Sequence, residues 1–166
     1  SKYNQLLGTS REVADKVESE WFYPDHRENK WARTYIYGAE INFNLGTATK
    51  VNMILHGDGS TNIFVKDGLA PFRKYEKSSE PNALNQYVTQ NLYQDKEVNE
   101  QFDLILTNPP FSVQLDNDTK KTVIKDFIFG EKKNSENLFI ERWYQLLREN
   151  GRCAAVLPES VFGANI

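Results

Sequence analysis

Asn108, Pro109, Pro110 and Phe111 close the apolar run "FDLILT" at residues 102–107, an odd ending for a buried strand. Phe102, Leu104, Ile105 and Leu106 are of the kind a parallel sheet hides on both faces. Two successive prolines cannot donate to a ladder and so cannot continue a central strand. The tetrapeptide suits a different task. Proline holds the residue before it extended, and two in a row fix the directions of their carbonyls. Asn108 offers a side-chain carbonyl and Pro109 a main-chain carbonyl, two acceptors held close together. Such a pair matches an exocyclic amino group, which has two hydrogens to donate. Accepting both draws the nitrogen out of planar conjugation and turns its lone pair outward, as a methyl acceptor requires. Phe111 can stack on the ring that bears the amino group, the way enzymes hold an extruded base.

Two carboxylates follow other strand-like runs. Glu40, after "TYIYGA", can accept both hydroxyls of a ribose, as acidic residues do in dinucleotide folds; a solvated or helix-capping carboxylate is the other reading. Asp67, in "VKDGL", can accept from an adenine amino group or simply open an Asp-Gly turn. The stretch "HGDGS" at 56–60 resembles a phosphate cradle, but a glycine-bearing turn from helix to strand explains it better. That reading keeps His56 and Asp58 out of the chemistry. His26, in an aromatic turn, reads as a surface or packing histidine.

The elements that must position these groups alternate along the chain. A helix-like stretch spans residues 10–21, followed by the turn "WFYPDHRENKW". β-Branched and aromatic residues predict strands at 34–41, 62–67, 102–108 and 152–160. Leu45, Ala48, Val51, Asn52 and Leu55 mark one helix face, closing on Gly57. A second helix, "SENLFIERWYQLLRENG", runs from a serine cap at 135 to Gly151. Residues 70–100 read as a polar excursion with one helix, and 112–134 as an exposed loop. Strand–helix–strand repeated implies right-handed crossovers and a mostly parallel sheet with flanking helices. Ligands of such sheets sit beyond the strands' carboxyl ends, where Glu40, Asp67, Asn108 and Pro158-Glu159 all fall.

The 166 residues suffice for one ordinary domain; 39% are hydrophobic and 26% charged, a globular and not a disordered composition. Net charge is −3, so no global positive field draws the chain to nucleic acid, and any such contact must be local. One cysteine, Cys153, and two histidines leave little for a transition-metal site and no internal disulfide. No segment approaches the roughly 20 apolar residues that span a bilayer. A metal-free cytoplasmic protein is expected.

With these residues in place the sequence resembles the amino-group, adenine-specific DNA methyltransferases, in particular the modification subunits of type I restriction–modification systems. The resemblance runs over about residues 31–164, in "YGAEINFNLGTATKVNMILHGDGSTNI", "VKDGL", "FDLILTNPPF" and "ENLFIERWYQLLRENGRCAAVLPESVFG". It implies a Rossmann-like α/β fold for 34–166, as part of a catalytic domain, with 1–33 as a polar lead-in. It implies S-adenosylmethionine as cofactor, with Glu40 on its ribose and Asp67 on its adenine. Ile41, Gly68 and Asn108 complete that binding set, and Asn108, Pro109, Pro110 and Phe111 form the catalytic motif that receives adenine. Double-stranded DNA with a flipped adenine, and specificity and restriction subunits, are the implied partners. The family's glycine-rich Asp-Pro-x-x-Gly-x-Gly loop does not precede residue 31, so an internal piece of a larger enzyme, inactive by itself, is expected. Similar tetrapeptides occur in methyltransferases of RNA guanine and protein glutamine amino groups; these, and a non-catalytic scaffold of a restriction complex, are the alternatives.

Overall fold

The computed structural model describes residues 30–57, 62–79, 82–86, 90–111, 115, 117–129 and 135–163. The helix expected at 10–21 lies outside them. The elements, in order, are α1 (Lys30–Tyr35), β1 (Gly38–Ala39), α2 (Phe43–Leu55), β2 (Ile63–Phe64), a 3-10 turn (Phe72–Lys74), α3 (Asp95–Val98), β3 (Phe102–Thr107), α4 (Asn117–Asp126), α5 (Ser135–Leu146), β4 (Leu147–Ala155) and α6 (Ser160–Gly163). This is an α/β mixture with short parallel strands. The strands form two separate parallel pairs, β1–β2 and β3–β4, where one sheet was expected. Described residues up to Val65, with Asn82 and Ala83, make one compact unit; those from Lys66 make a second.

In the first unit the strand expected at 34–41 shrinks to two residues. Thr34 and Tyr35 belong instead to α1, whose last turn is closed by Ile36 N on Ala32 O, 2.9 Å. Side chains then tie the backbone together. Asn62 Nδ2 donates to Arg33 O (2.5 Å), Asn82 Nδ2 to Asn62 Oδ1 (2.9 Å), and Tyr37 Oη to Asn82 Oδ1 (2.8 Å). Asn62 and Asn82 are buried, so each of these bonds satisfies a group that would otherwise be costly. β2 is likewise two residues long, against the six expected at 62–67.

α2 begins where Asn42 Oδ1 accepts from Asn44 N (3.0 Å) and Leu45 N (3.1 Å), an N-cap satisfying two orphan donors. It ends as expected, with Gly57 at φ 71°, the left-handed conformation glycine adopts without strain. Only Gly46 of this helix is buried, its Cα facing Val65. The predicted apolar face is exposed: Leu45 at 58%, Val51 at 50% and Leu55 at 78%.

In the second unit the described residues of 70–79 and 90–100 are joined by non-local bonds that no sequence period announces. Glu76 and Leu92 form an antiparallel bridge, flanked by Lys77 N on Asn91 O (2.8 Å) and Tyr93 N on Tyr75 O (3.1 Å). Phe72, Tyr75, Tyr93 and Val98 are buried there. Lys77 Nζ, nearly covered, pairs with Glu97 Oε1 at 2.9 Å and lies 5.4 Å from the Tyr93 ring centroid. The loop expected over 112–134 contains α4, and Phe127 just beyond it is buried with Leu69 and Leu138.

β3 and β4 pair from Leu104↔Arg152 to Thr107↔Ala155, after an irregularity that follows Phe102↔Leu147. α5 stops at Leu146 and does not reach Gly151. The carbonyls that a longer helix would use accept from elsewhere: Gln145 O from Glu100 N (2.9 Å) and Leu146 O from Gln101 N (3.0 Å). Asn150 turns the chain at φ 63°. The expectation that β3 is buried on both faces fails, because Leu104 and Leu106, which share a face, are exposed at 55% and 73%. Among the described residues no helix is long and apolar enough to cross a membrane.

Candidate functional site

The β3–β4 ladder sets the place of the tetrapeptide. Its last bond is Val156 N on Thr107 O, 3.1 Å, and Asn108 is the next residue. From there the prolines remove two donors, so pairing stops on sequence grounds alone. Pro109 is buried, while Asn108, Pro110 and Phe111 are exposed, Phe111 at 46%. The arrangement leaves an amide carbonyl and an aromatic ring facing solvent at the carboxyl end of a parallel pair. Pro158 and Glu159, predicted for the same edge, instead start α6: their carbonyls accept from Val161 N and Phe162 N, both 3.0 Å.

Glu40 stands at the carboxyl end of β1, where its N–H continues the ladder to Phe64 O at 2.9 Å. Its Oε1 accepts from Asn42 N at 2.7 Å, bracing the residue that caps α2. Ile41 beside it is 65% exposed. Asp67 is three residues past β2. Its Oδ1 accepts from Leu69 N (2.9 Å), the turn-opening geometry, and its carbonyl accepts from Ala70 N (2.9 Å) and Tyr75 Oη (2.8 Å). Asp67 thus opens the turn that its sequence allowed, while Glu40 braces the capping residue without capping α2 itself. Glu40 and Ile41 belong to the first unit; Asp67, Gly68 and Asn108 to Phe111 belong to the second. His56 is the residue after α2 and exposed, which fits the turn reading of "HGDGS"; Asp58 and His26 lie outside the described residues.

Sequence reasoning missed three buried charges on α5, at Glu136, Glu141 and Arg142. Glu141 accepts from Ile128 N (2.6 Å) and Phe129 N (2.9 Å), which holds the turn after α4. Arg142, 5% exposed, directs its guanidinium the other way, to the carbonyls of Leu69 (3.1 Å) and Ala70 (3.4 Å). Adjacent residues of opposite charge therefore hold two loops by opposite backbone groups. Burial pushes the Arg142 pKa down, and the charges of Tyr75, Asp95, Asp126 and Asp67 oppose that shift. Burial also pushes the Tyr75 hydroxyl well above its ordinary value. A signal was available: Ser135, Leu138, Phe139 and Arg142 share a helical stripe, so an arginine at the fourth position falls on the apolar face.

A family model described as N-6 DNA methylase matches residues 6–165, starting well ahead of residue 31, where the resemblance was placed. No curated protein matches the chain.

Proposed function

The chain belongs to the N-6 DNA methylase family, whose reaction is methylation of the adenine amino group in DNA, and from that premise we propose that it methylates adenine from S-adenosylmethionine as part of a type I modification subunit. On this reading residues 34–166 are part of a Rossmann-like catalytic domain, with 1–33 as its lead-in, acting in the cytoplasm alongside specificity and restriction subunits. The observation that carries it is the position of Asn108, one residue beyond the last β3–β4 bond and exposed.

The chemistry of the groups present fits the cofactor. Glu40 Oε2 has no hydrogen-bond partner among the described residues, and a carboxylate with a spare oxygen suits the ribose hydroxyls. Asp67 suits the adenine amino group, and Ile41, exposed beside Glu40, offers an apolar surface to a ring. Gly68 keeps the chain beside Asp67 free of a side chain. Bound S-adenosylmethionine supplies an electrophilic methyl group on sulfur.

The chain's own residues act on the base. The Asn108 side-chain carbonyl and the Pro109 carbonyl each accept one hydrogen of the adenine amino group, which localises the nitrogen lone pair. Phe111 stacks on the flipped base and holds it out of the duplex. Catalysis then rests on positioning and on acceptors that strengthen as positive charge develops on the nitrogen.

In the complete methyltransferase, Asn108→Ala should lower methyl transfer by about a hundredfold or more while cofactor affinity stays near wild type. Phe111→Ala should weaken capture of the flipped base by roughly 1–3 kcal/mol. Labelled methyl transfer to unmethylated DNA, run beside cofactor titration, reads both. Near-normal turnover by Asn108→Ala would mean that the prolines only end a strand.

A further inference from the structure

Arg142 is buried without a carboxylate in contact among the described residues, and its Nε has no hydrogen-bond partner. Burying a guanidinium in that way is costly. What it does contact is specific. Its Cζ lies 4.6 Å from the Phe72 ring centroid and 4.6 Å from that of Phe127, so two aromatic rings flank the cation. Nη1 donates to Gln145 Oε1 at 3.1 Å, a residue on the same helix, and that bond steers the planar fork. Nη2 is left to reach the carbonyls of Leu69 and Ala70.

Those carbonyls belong to the turn that Asp67 opens. From within, the turn is closed by Leu69 N on Asp67 Oδ1 and by Ala70 N on Asp67 O. From outside it is held by Tyr75 Oη on Asp67 O and by Arg142, while Leu69 is anchored in the cluster with Phe127 and Leu138. The Asp67 carboxylate is therefore carried on backbone whose carbonyls are held by the nearby Tyr75 and by Arg142 from α5.

We propose that Arg142 is a positioning residue for the cofactor site: by clamping the Leu69 and Ala70 carbonyls it fixes the Asp67 turn, and so sets affinity for the adenosyl end of S-adenosylmethionine without touching it. This rests on the reading of Asp67 as the acceptor of the cofactor's adenine. A lysine in its place keeps the charge but loses the planar fork that is stacked between two rings while bonding both carbonyls and Gln145.

The test uses the complete methyltransferase and calorimetric titration with S-adenosylmethionine. Arg142→Lys should raise Kd about tenfold, and the Arg142→Lys, Asp67→Ala double variant should bind no more weakly than Asp67→Ala alone, because both changes remove one contact. At saturating cofactor kcat should stay within about twofold of wild type, with KM for cofactor following Kd. A general loss of folded enzyme would instead lower kcat and the number of binding sites together, leave Kd unmoved, and overturn the proposal. Multiplicative losses in the double variant would also overturn it. If Asp67→Ala itself binds like wild type, the assignment of Asp67 fails and the inference falls with it; if Asp67→Ala weakens binding but Arg142→Lys does not, only the clamp is wrong. Should Arg142→Lys fail to fold, Tyr75→Phe removes the turn's other outside bond and keeps the ring. It should raise Kd about threefold, and an unchanged Kd would overturn the proposal.

Discussion

Glu40 bonds Asn42 N through Oε1, so a substitution at this residue tests the brace on the capping residue and the proposed ribose contact together. The two separate by choice of variant. In the complete enzyme Glu40→Ala should weaken S-adenosylmethionine binding by roughly 1.5–3 kcal/mol, the worth of a charge-assisted bond, without changing DNA binding measured in the absence of cofactor. Glu40→Gln keeps an acceptor for Asn42 N but loses the charge, so it should recover little of that affinity. If Glu40→Gln titrates like wild type, the carboxylate is a brace for α2 and nothing more. The same discipline applies to Asp67, whose Oδ1 already closes a turn on Leu69 N. For Glu40 the local role and the proposed ligand role are compatible, because a carboxylate has two oxygens and about four acceptor directions.

Two glycines show how differently neighbouring elements constrain a residue. A Cβ at Gly151 would meet Arg148 O, Leu147 Cδ2 and Phe102 O, all at 2.9 Å. Two of these are backbone oxygens at the junction of α5, β4 and β3, and they cannot give way without opening the ladder that ends at Asn108. Gly151→Ala should therefore destabilise by about 1–3 kcal/mol. A Cβ at Gly46 would come as close, 2.8 Å, but to a side-chain methyl, Cγ2 of Val65, and to no backbone atom. In mid-helix alanine also gains about 1 kcal/mol over glycine, so Gly46→Ala should fall within about 1 kcal/mol of wild type. Urea unfolding of the two variants makes the comparison. A Gly151→Ala protein as stable as wild type would show that the α5–β4 junction relaxes more readily than its close contacts suggest.

At the scale of the whole chain, the two parallel pairs are only partly covered. Leu104 and Leu106 on β3 are exposed, as are Leu45, Val51 and Leu55 on α2, although a parallel sheet and an apolar helix face are surfaces that proteins normally bury. Residues 1–166 also contain no Asp-Pro-x-x-Gly-x-Gly loop to wrap the methionine end of the cofactor. The isolated 166-residue chain should accordingly bind S-adenosylmethionine weakly or not at all, and a calorimetric titration giving a low-micromolar Kd would contradict this.

The features written in the sequence are those fixed by a residue and its chain neighbours. Proline removes a donor wherever it stands, so the end of β3 at Asn108 was legible, and so was a helix closing on Gly57, which needs a left-handed residue and has one. Parallel pairing followed from the order of strands and helices. The turn at Asp67 was also legible, since its carboxylate bonds an N–H two residues on. Other features needed the fold. α5 stops at Leu146 because Glu100 N and Gln101 N, more than forty residues earlier in the chain, take the carbonyls of Gln145 and Leu146. Thr34 and Tyr35 are helical despite their strand-like types, and Glu76 pairs with Leu92, sixteen residues on, in an antiparallel bridge. Arg142 was hidden for the same reason: its partners, Leu69, Ala70, Phe72 and Phe127, are scattered through the chain. A backbone group is free to choose among all partners that folding brings near, and only the tertiary structure decides which one it takes.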